Sequence, residues 1–223
     1  MAEAKSDIAG SVLPMTKQQA VLMLESAYLW MDMGKYDNAR ELLTGAAALM
    51  PKSEVPQLAL GTMEFNQAKY DKALQAFRGA QRLAPRSALP RAHCGEALVQ
   101  MNKGAEALKE LVAGAEAEPG SDGARFAVTL MVLLGNREFA AGRFDKAQQA
   151  LAAAVKHGPD FALGHAYLGQ VQYALGKEEE AKTSLKKAKE LDPNGDGAKV
   201  AELTLDLIAK GQPVAPAKKL AKK

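Results

Sequence analysis

Five prolines recur along the chain at almost constant intervals. Pro51, Pro85, Pro119, Pro159 and Pro193 are separated by 34, 34, 40 and 34 residues. Twelve residues before each stands an alanine: Ala39, Ala73, Ala107, Ala147 and Ala181. Eight residues before stands Leu43, Phe77, Leu111, Leu151 or Leu185, and twenty-four before stands Ala27, Gly61, Gly95, Gly135 or Gly169. Agreement of that kind in five registers identifies tandem units. Each unit buries its apolar face against its neighbours, so the chain must fold as a stacked array and not around one centre.

The repeated residues describe two packed helices per unit. Helix axes in contact lie about 8–10 Å apart, which demands small residues at the closest approach. The Gly or Ala of the first helix and the Ala of the second meet that demand, and the large residue four positions on fills the space left between them. Proline ends the second helix because it cannot continue the N–H ladder. Gly34, Gly142 and Gly176 supply the backbone freedom of the turn inside a unit.

The 34-residue spacing and these residue types resemble the tetratricopeptide (TPR) repeat, most clearly in LGTMEFNQAKYDKALQAFRGAQRLAP and LGQVQYALGKEEEAKTSLKKAKELDP. The resemblance implies an all-α, right-handed TPR solenoid of five helix–turn–helix repeats with a C-terminal capping helix. The repeats run over 20–53, 54–87, 88–121, 128–161 and 162–195. As domains, this gives a flexible segment 1–15, repeats 1–3 over 16–121, and an inserted turn or helix extension with repeats 4–5 over 122–195. Residues 196–210 form the cap, with Val200, Leu203, Leu207 and Ile208 on one face. Residues 211–223 form a disordered basic tail. Six extra residues near GSDGARF either lengthen the first helix of repeat 4 or loop out. Repeat 3 departs furthest from the pattern, with Gly104 where other units carry Tyr36, Tyr70 or Phe144, and any hinge is expected there.

Several function classes fall away on composition. The 29 basic and 26 acidic residues leave a charge of +3, too small for a nucleic-acid coat. Five of the lysines, Lys210, Lys218, Lys219, Lys222 and Lys223, lie in the last fourteen residues, and without interleaved aromatics they predict no specific nucleic-acid binding. No apolar run approaches the ~18 residues of a membrane span. No secretory signal is read at the N-terminus, and a cytoplasmic protein is expected. Cys94 is the sole cysteine, so no internal disulfide and no Cys-based zinc cage can form.

No catalytic, cofactor or metal site is predicted. His93, His157 and His165 lie in different repeats, without metal-ligand spacing or a phosphate loop nearby. His93 and Cys94 are adjacent, and neighbours on a helix point about 100° apart. Cys94 shares its register position with Leu60, Leu134 and Leu168, which reads as a small core residue. Glu64 and Glu138 share a position where repeat 1 has Trp30. Being two repeats apart, they exceed the roughly 5–9.5 Å of a paired-carboxylate site, and each is expected to pair with a nearby Lys or Arg.

The resemblance to TPR arrays implies a concave groove lined by the first helix of each repeat, reading positions two, five, nine and twelve. These positions hold Val21, Leu24, Tyr28 and Met31, then Val55, Leu58, Thr62 and Phe65, then Leu89 and Val99. Repeat 4 contributes Val132, Asn136 and Phe139, and repeat 5 contributes Gln170 and Tyr173. The basic clamp of TPR co-chaperones is missing, since Leu24, Glu25 and Tyr28 occupy its positions. Repeats 1–3 resemble the TPR chaperones and partner proteins of bacterial type III secretion. The expected role is a protein–protein interaction module, an adaptor or scaffold holding an apolar peptide or helix, with a secretion chaperone or a self-assembling TPR protein as alternatives. A homodimer, or residues 8–15 lying in the groove, are competing covers for an apolar stripe that monomers seldom leave bare.

Overall fold

The structure, a computed structural model, describes residues 17–214. Among these residues eleven helices follow one another: α1 (Lys17–Asp32), α2 (Tyr36–Leu49), α3 (Val55–Asn66), α4 (Tyr70–Leu83), α5 (Ala88–Gln100), α6 (Gly104–Ala117), α7 (Asp122–Ala140), α8 (Phe144–His157), α9 (Ala162–Ala174), α10 (Glu178–Leu191) and α11 (Asp196–Ala209). Odd-numbered helices are the first helices of the repeats and even-numbered ones the second. The reading of residues 1–15 as a flexible segment, and of 8–15 as a groove plug, lies outside the described residues.

Within each repeat the small residue of the first helix lies against the large residue of the second. A Cβ added at Gly61 would stand 2.3 Å from Phe77 Cε1, at Gly95 2.5 Å from Leu111 Cδ2, at Gly135 2.4 Å from Leu151 Cγ, and at Gly169 2.6 Å from Leu185 Cγ. These glycines admit the side chain that anchors each pair. The pattern read from the prolines is therefore a contact pattern repeated along the molecule. Apolar clusters follow one another along the array, the largest running from Ala92 through Leu151 to Val171. Stability is accordingly distributed between neighbours, as in other solenoids.

First helices end in a shared turn. A residue with positive φ follows each one: Gly34, Ala68, Asn102, Gly142, Gly176 and, after α11, Gly211. The next N–H reaches back to close the last helical turn, as in Lys35 to Trp30 O (2.8 Å), Lys103 to Leu98 O (2.9 Å) and Gln212 to Leu207 O (2.9 Å). Ala68 and Asn102 hold this left-handed conformation without glycine's freedom.

The six inserted residues are helical. The α7 helix has 19 residues against 13 in α5 and α9, an extension of about 9 Å at 1.5 Å per residue. The Ser121 hydroxyl caps it by accepting from Ala124 N at 3.1 Å. Gly123 brings the extension onto the start of α5, where an added Cβ would stand 2.6 Å from Leu89 N. Phe126 meets the His93 ring edge-on at 5.2 Å.

The α11 helix repeats this device. DGAR at 122–125 and DGAK at 196–199 open the two helices, and each carries an ion pair between its acid and its base. Gly197 approaches Ala162 and Leu163 on α9 as Gly123 approaches α5. With Gly211 closing it in the same left-handed turn, α11 is the first helix of a sixth unit, and it also serves as the cap. The tail does not begin at 211 as expected. The Tyr173 hydroxyl donates to the Gln212 carbonyl at 3.1 Å, and Val214 is buried in the cluster that holds Val171 and Phe139. The remaining tail positions lie outside the described residues.

Candidate functional site: the first-helix stripe

The stripe predicted along the first helices divides by burial. Position two is exposed in three consecutive repeats, at Val21 (49%), Val55 (41%) and Leu89 (37%). Tyr28 is likewise exposed, and burial of part of its ring raises the phenol pKa above its ordinary value by desolvation. Leu58, Thr62, Phe65 and Val99 are half-buried, as are Asn136, Gln170 and Tyr173.

Four of the predicted residues belong to the core. Leu24 and Met31 are buried with Leu43 and Met63, and Val132 and Phe139 are buried in the main cluster. They sit at positions five and twelve, and in these repeats neighbouring helices close over them. Their side chains are not part of the surface a partner would meet.

The stripe also changes character along the array. Position nine reads Tyr28, Thr62, Glu96, Asn136 and Gln170, so the aromatic opening gives way to polar side chains. The exposed apolar residues of the predicted stripe thus lie on α1, α3 and α5.

The residues weighed for chemistry have structural partners. Glu64 pairs with Arg40, which reaches across from repeat 1, and Glu138 pairs with Arg143 of its own repeat. Cys94 is fully buried, and burial, helped by the nearby Glu110 carboxylate, pushes its thiol up to about 12. A thiol so protonated is a poor nucleophile. His93 stacks on Phe77 with centroids 4.9 Å apart, and its Nδ1 lies 3.0 Å from Glu96 Oε2. Lys35 lies over the Trp30 ring, 4.8 Å from its centroid. Among the described residues no helix is long and apolar enough to cross a membrane.

A tetratricopeptide repeat family model matches residues 24–88 and 132–196, more than half of the chain. The chain belongs to the tetratricopeptide repeat family. The unmatched stretch between those blocks holds most of repeat 3 and the extension of α7, the two departures from the regular pattern. In architecture the protein is an all-α TPR solenoid, and TPR arrays are protein–protein interaction modules. No curated protein matches the sequence.

Solved structures share the fold at low identity. MamA from Desulfovibrio magneticus RS-1 is 21% identical, with a TM-score of 0.57 over 82% of this chain and 99% of that one. YrrB, described as a TPR protein with an unusual peptide-binding site, is 20% identical with a TM-score of 0.55, over 86% and 94%. PilW, a type IV pilus biogenesis factor, is 19% identical with a TM-score of 0.55, over 92% and 99%.

Proposed function

We propose that this chain is a non-catalytic cytoplasmic adaptor whose first helices in repeats 1–3 hold an apolar peptide or helix of a partner protein. The observation that carries this reading is the line of Val21, Val55 and Leu89, one register position exposed in three consecutive repeats. Isolated exposed apolar residues are ordinary on any surface. A line of them at one register position, joined by Tyr28 and the half-buried Leu58 and Phe65, is the kind of surface on which an amphipathic segment lays its apolar face. That YrrB is described as having a peptide-binding site supports peptide capture as a use to which this fold is put.

The test selects displayed 15-residue peptides on the full chain and measures their affinity for variants. Enriched peptides with apolar residues at helical spacing, losing about tenfold or more of their affinity in Tyr28→Asp/Val55→Asp while the melting curve stays put, support the reading. Unchanged binding by that double variant overturns it.

A second reading rests on the N-terminal end of the array. Leu22 and Leu29 are exposed, whereas their register equivalents in repeat 2, Pro56 and Met63, are buried against the preceding repeat. A second copy covering α1 would supply the missing neighbour. Concentration-dependent mass by light scattering, abolished in Leu22→Asp/Leu29→Asp, would favour self-association over partner capture.

A further inference from the structure

The junction between repeats 3 and 4 holds a cavity with the place of a missing aromatic pair in its wall. The register-equivalent space between α2, α3 and α4 is also open, at about 650 Å³, with Arg40 and Glu64 in its lining. In repeats 2 and 4 the last aromatic residue of the first helix packs against the aromatic residue opening the second. Phe65 and Tyr70 have ring centroids 5.2 Å apart, and Phe139 and Phe144 5.4 Å. Repeat 3 has Val99 and Gly104 at these two positions. Both rings of the pair are missing in the same unit.

A second residue differs at the same place. Arg40 of repeat 1 reaches across to Glu64 of repeat 2. Its register equivalent in repeat 3 is Leu108, which cannot make that bond, and Glu138 is held by Arg143 instead. The space between α6, α7 and α8 is a cavity of about 340 Å³, with Val99, Gly104, Leu108 and Leu134 supplying its apolar lining. A Cβ added at Gly104 would stand 3.5 Å from Leu134 Cδ1 and 3.2 Å from Glu138 Oε1, so a side chain at 104 would enter this space. The volume suits a small ligand or a single bulky side chain.

The rim is basic. Arg137 donates to the Val99 carbonyl at 2.6 Å and also bonds Asn102, and Arg143 is held by Glu138. Lys146, also at the rim, makes no ion pair among the described residues. Its charge is available to a ligand carboxylate, while the apolar lining matches the shape of the absent ring.

We propose that this cavity receives an aromatic side chain carried in an acidic stretch of a partner protein, the incoming ring replacing the one that Gly104 lacks. The site is separate from the stripe on α1, α3 and α5, and the proposal stands whatever that stripe binds. It makes repeat 3, the unit furthest from the regular pattern, a second point of recognition. Apolar burial supplies the affinity, and Lys146 adds a salt-sensitive preference for acidic sequence.

The probe is a blocked pentapeptide, acetyl-Glu-Asp-Phe-Asp-Glu-amide, titrated into the full chain and followed by amide chemical shifts. The expected result is saturable shifts confined to α6, α7 and α8, lost when the peptide phenylalanine is replaced by alanine. Gly104→Tyr, which supplies the ring from within the chain, should weaken binding about tenfold or more. Lys146→Glu, on an exposed helix position, should weaken it severalfold and flatten its salt dependence. Shifts on α1 and α3 in place of α6–α8, no saturation at millimolar peptide, or unchanged affinity in Lys146→Glu would each overturn the proposal. Should Gly104→Tyr fail to fold, the lysine variant and the alanine peptide still decide it.

Discussion

The first helices of repeats 1–3 and those of repeats 4–5 occupy the same register positions in the same fold, yet they present different surfaces. At position two, repeats 1–3 expose Val21, Val55 and Leu89, and repeat 4 exposes Thr129. At position nine, Tyr28 gives way to Thr62 and Glu96 within repeats 2 and 3, and to Asn136 and Gln170 further along. Val132 and Phe139 of repeat 4 are taken into the core, as Leu24 and Met31 of repeat 1 are, and Tyr173 of repeat 5 is engaged by the chain's own Gln212. In a solenoid the contacts between neighbours fix the scaffold, so surface positions are free to diverge without changing the fold. The exposed apolar line of position two lies in one half of the array.

The surest way to sharpen this comparison is to place a charge at a covered and at an open position of the first helices. Val132→Asp buries an unpaired carboxylate and should cost about 3 kcal/mol or more, enough to unfold repeat 4. Val21→Asp, on the exposed side of α1, should stay within about 0.5 kcal/mol of wild type. Denaturant unfolding of both variants checks the contrast. Equal costs would mean that position two is covered like position five.

A smaller effect is expected at the C-terminal end. Ending the chain at Gly211 removes the buried Val214 and the acceptor of the Tyr173 hydroxyl, and should cost about 1–2 kcal/mol. Amide exchange should quicken in α9 and α11 while α1 and α3 stay unchanged. Uniform loosening of all the helices would contradict the local role given to this segment.

The smallest effect is a dependence on alkaline pH. The Cys94 thiol is raised in the folded state, so the unfolded chain loses its proton first as pH climbs. Between the ordinary thiol range and about 12 the folded state binds more protons, and stability falls as pH rises through that window. Cys94→Ala should have a shallower alkaline slope in equilibrium unfolding. A matched slope would place the thiol in contact with solvent.

Much of the fold was legible because its determinants are local and repeated. Gly61 with Phe77 and Gly135 with Leu151 are pairs whose spacing is visible in the chain and whose contact is enforced by volume. The relation of α11 to α7 was also written there, as DGAR and DGAK, but the register counts the prolines that close second helices, and α11, a first helix, does not show in it. The extension at 122 could be a loop or a helix on spacing alone. Ser121 as N-cap and the fit of Gly123 against α5 select the helix.

The stripe was less legible. Periodicity places Leu24, Met31, Val132 and Phe139 on the same helix face as Val21 and Tyr28, but whether a neighbouring helix covers a position depends on the residues across the gap. Leu43 and Met63 close over Leu24 and Met31, and no spacing within α1 reports it. The paired losses at Val99 and Gly104 were half visible. Gly104 departs from the pattern plainly, whereas the absence of a ring at Val99 matters only once the two positions are known to touch.

The most direct test of an N-terminal recognition surface is site-specific photocrosslinking with a peptide selected on the full chain. A benzophenone side chain is placed in turn at Tyr28, Val55, Asn136 and Gln170, all on the first helices. Crosslinks from positions 28 and 55, with none from 136 and 170, are the expected result. Crosslinking from 136 and 170 alone, or equally from all four, would contradict the assignment of apolar recognition to repeats 1–3.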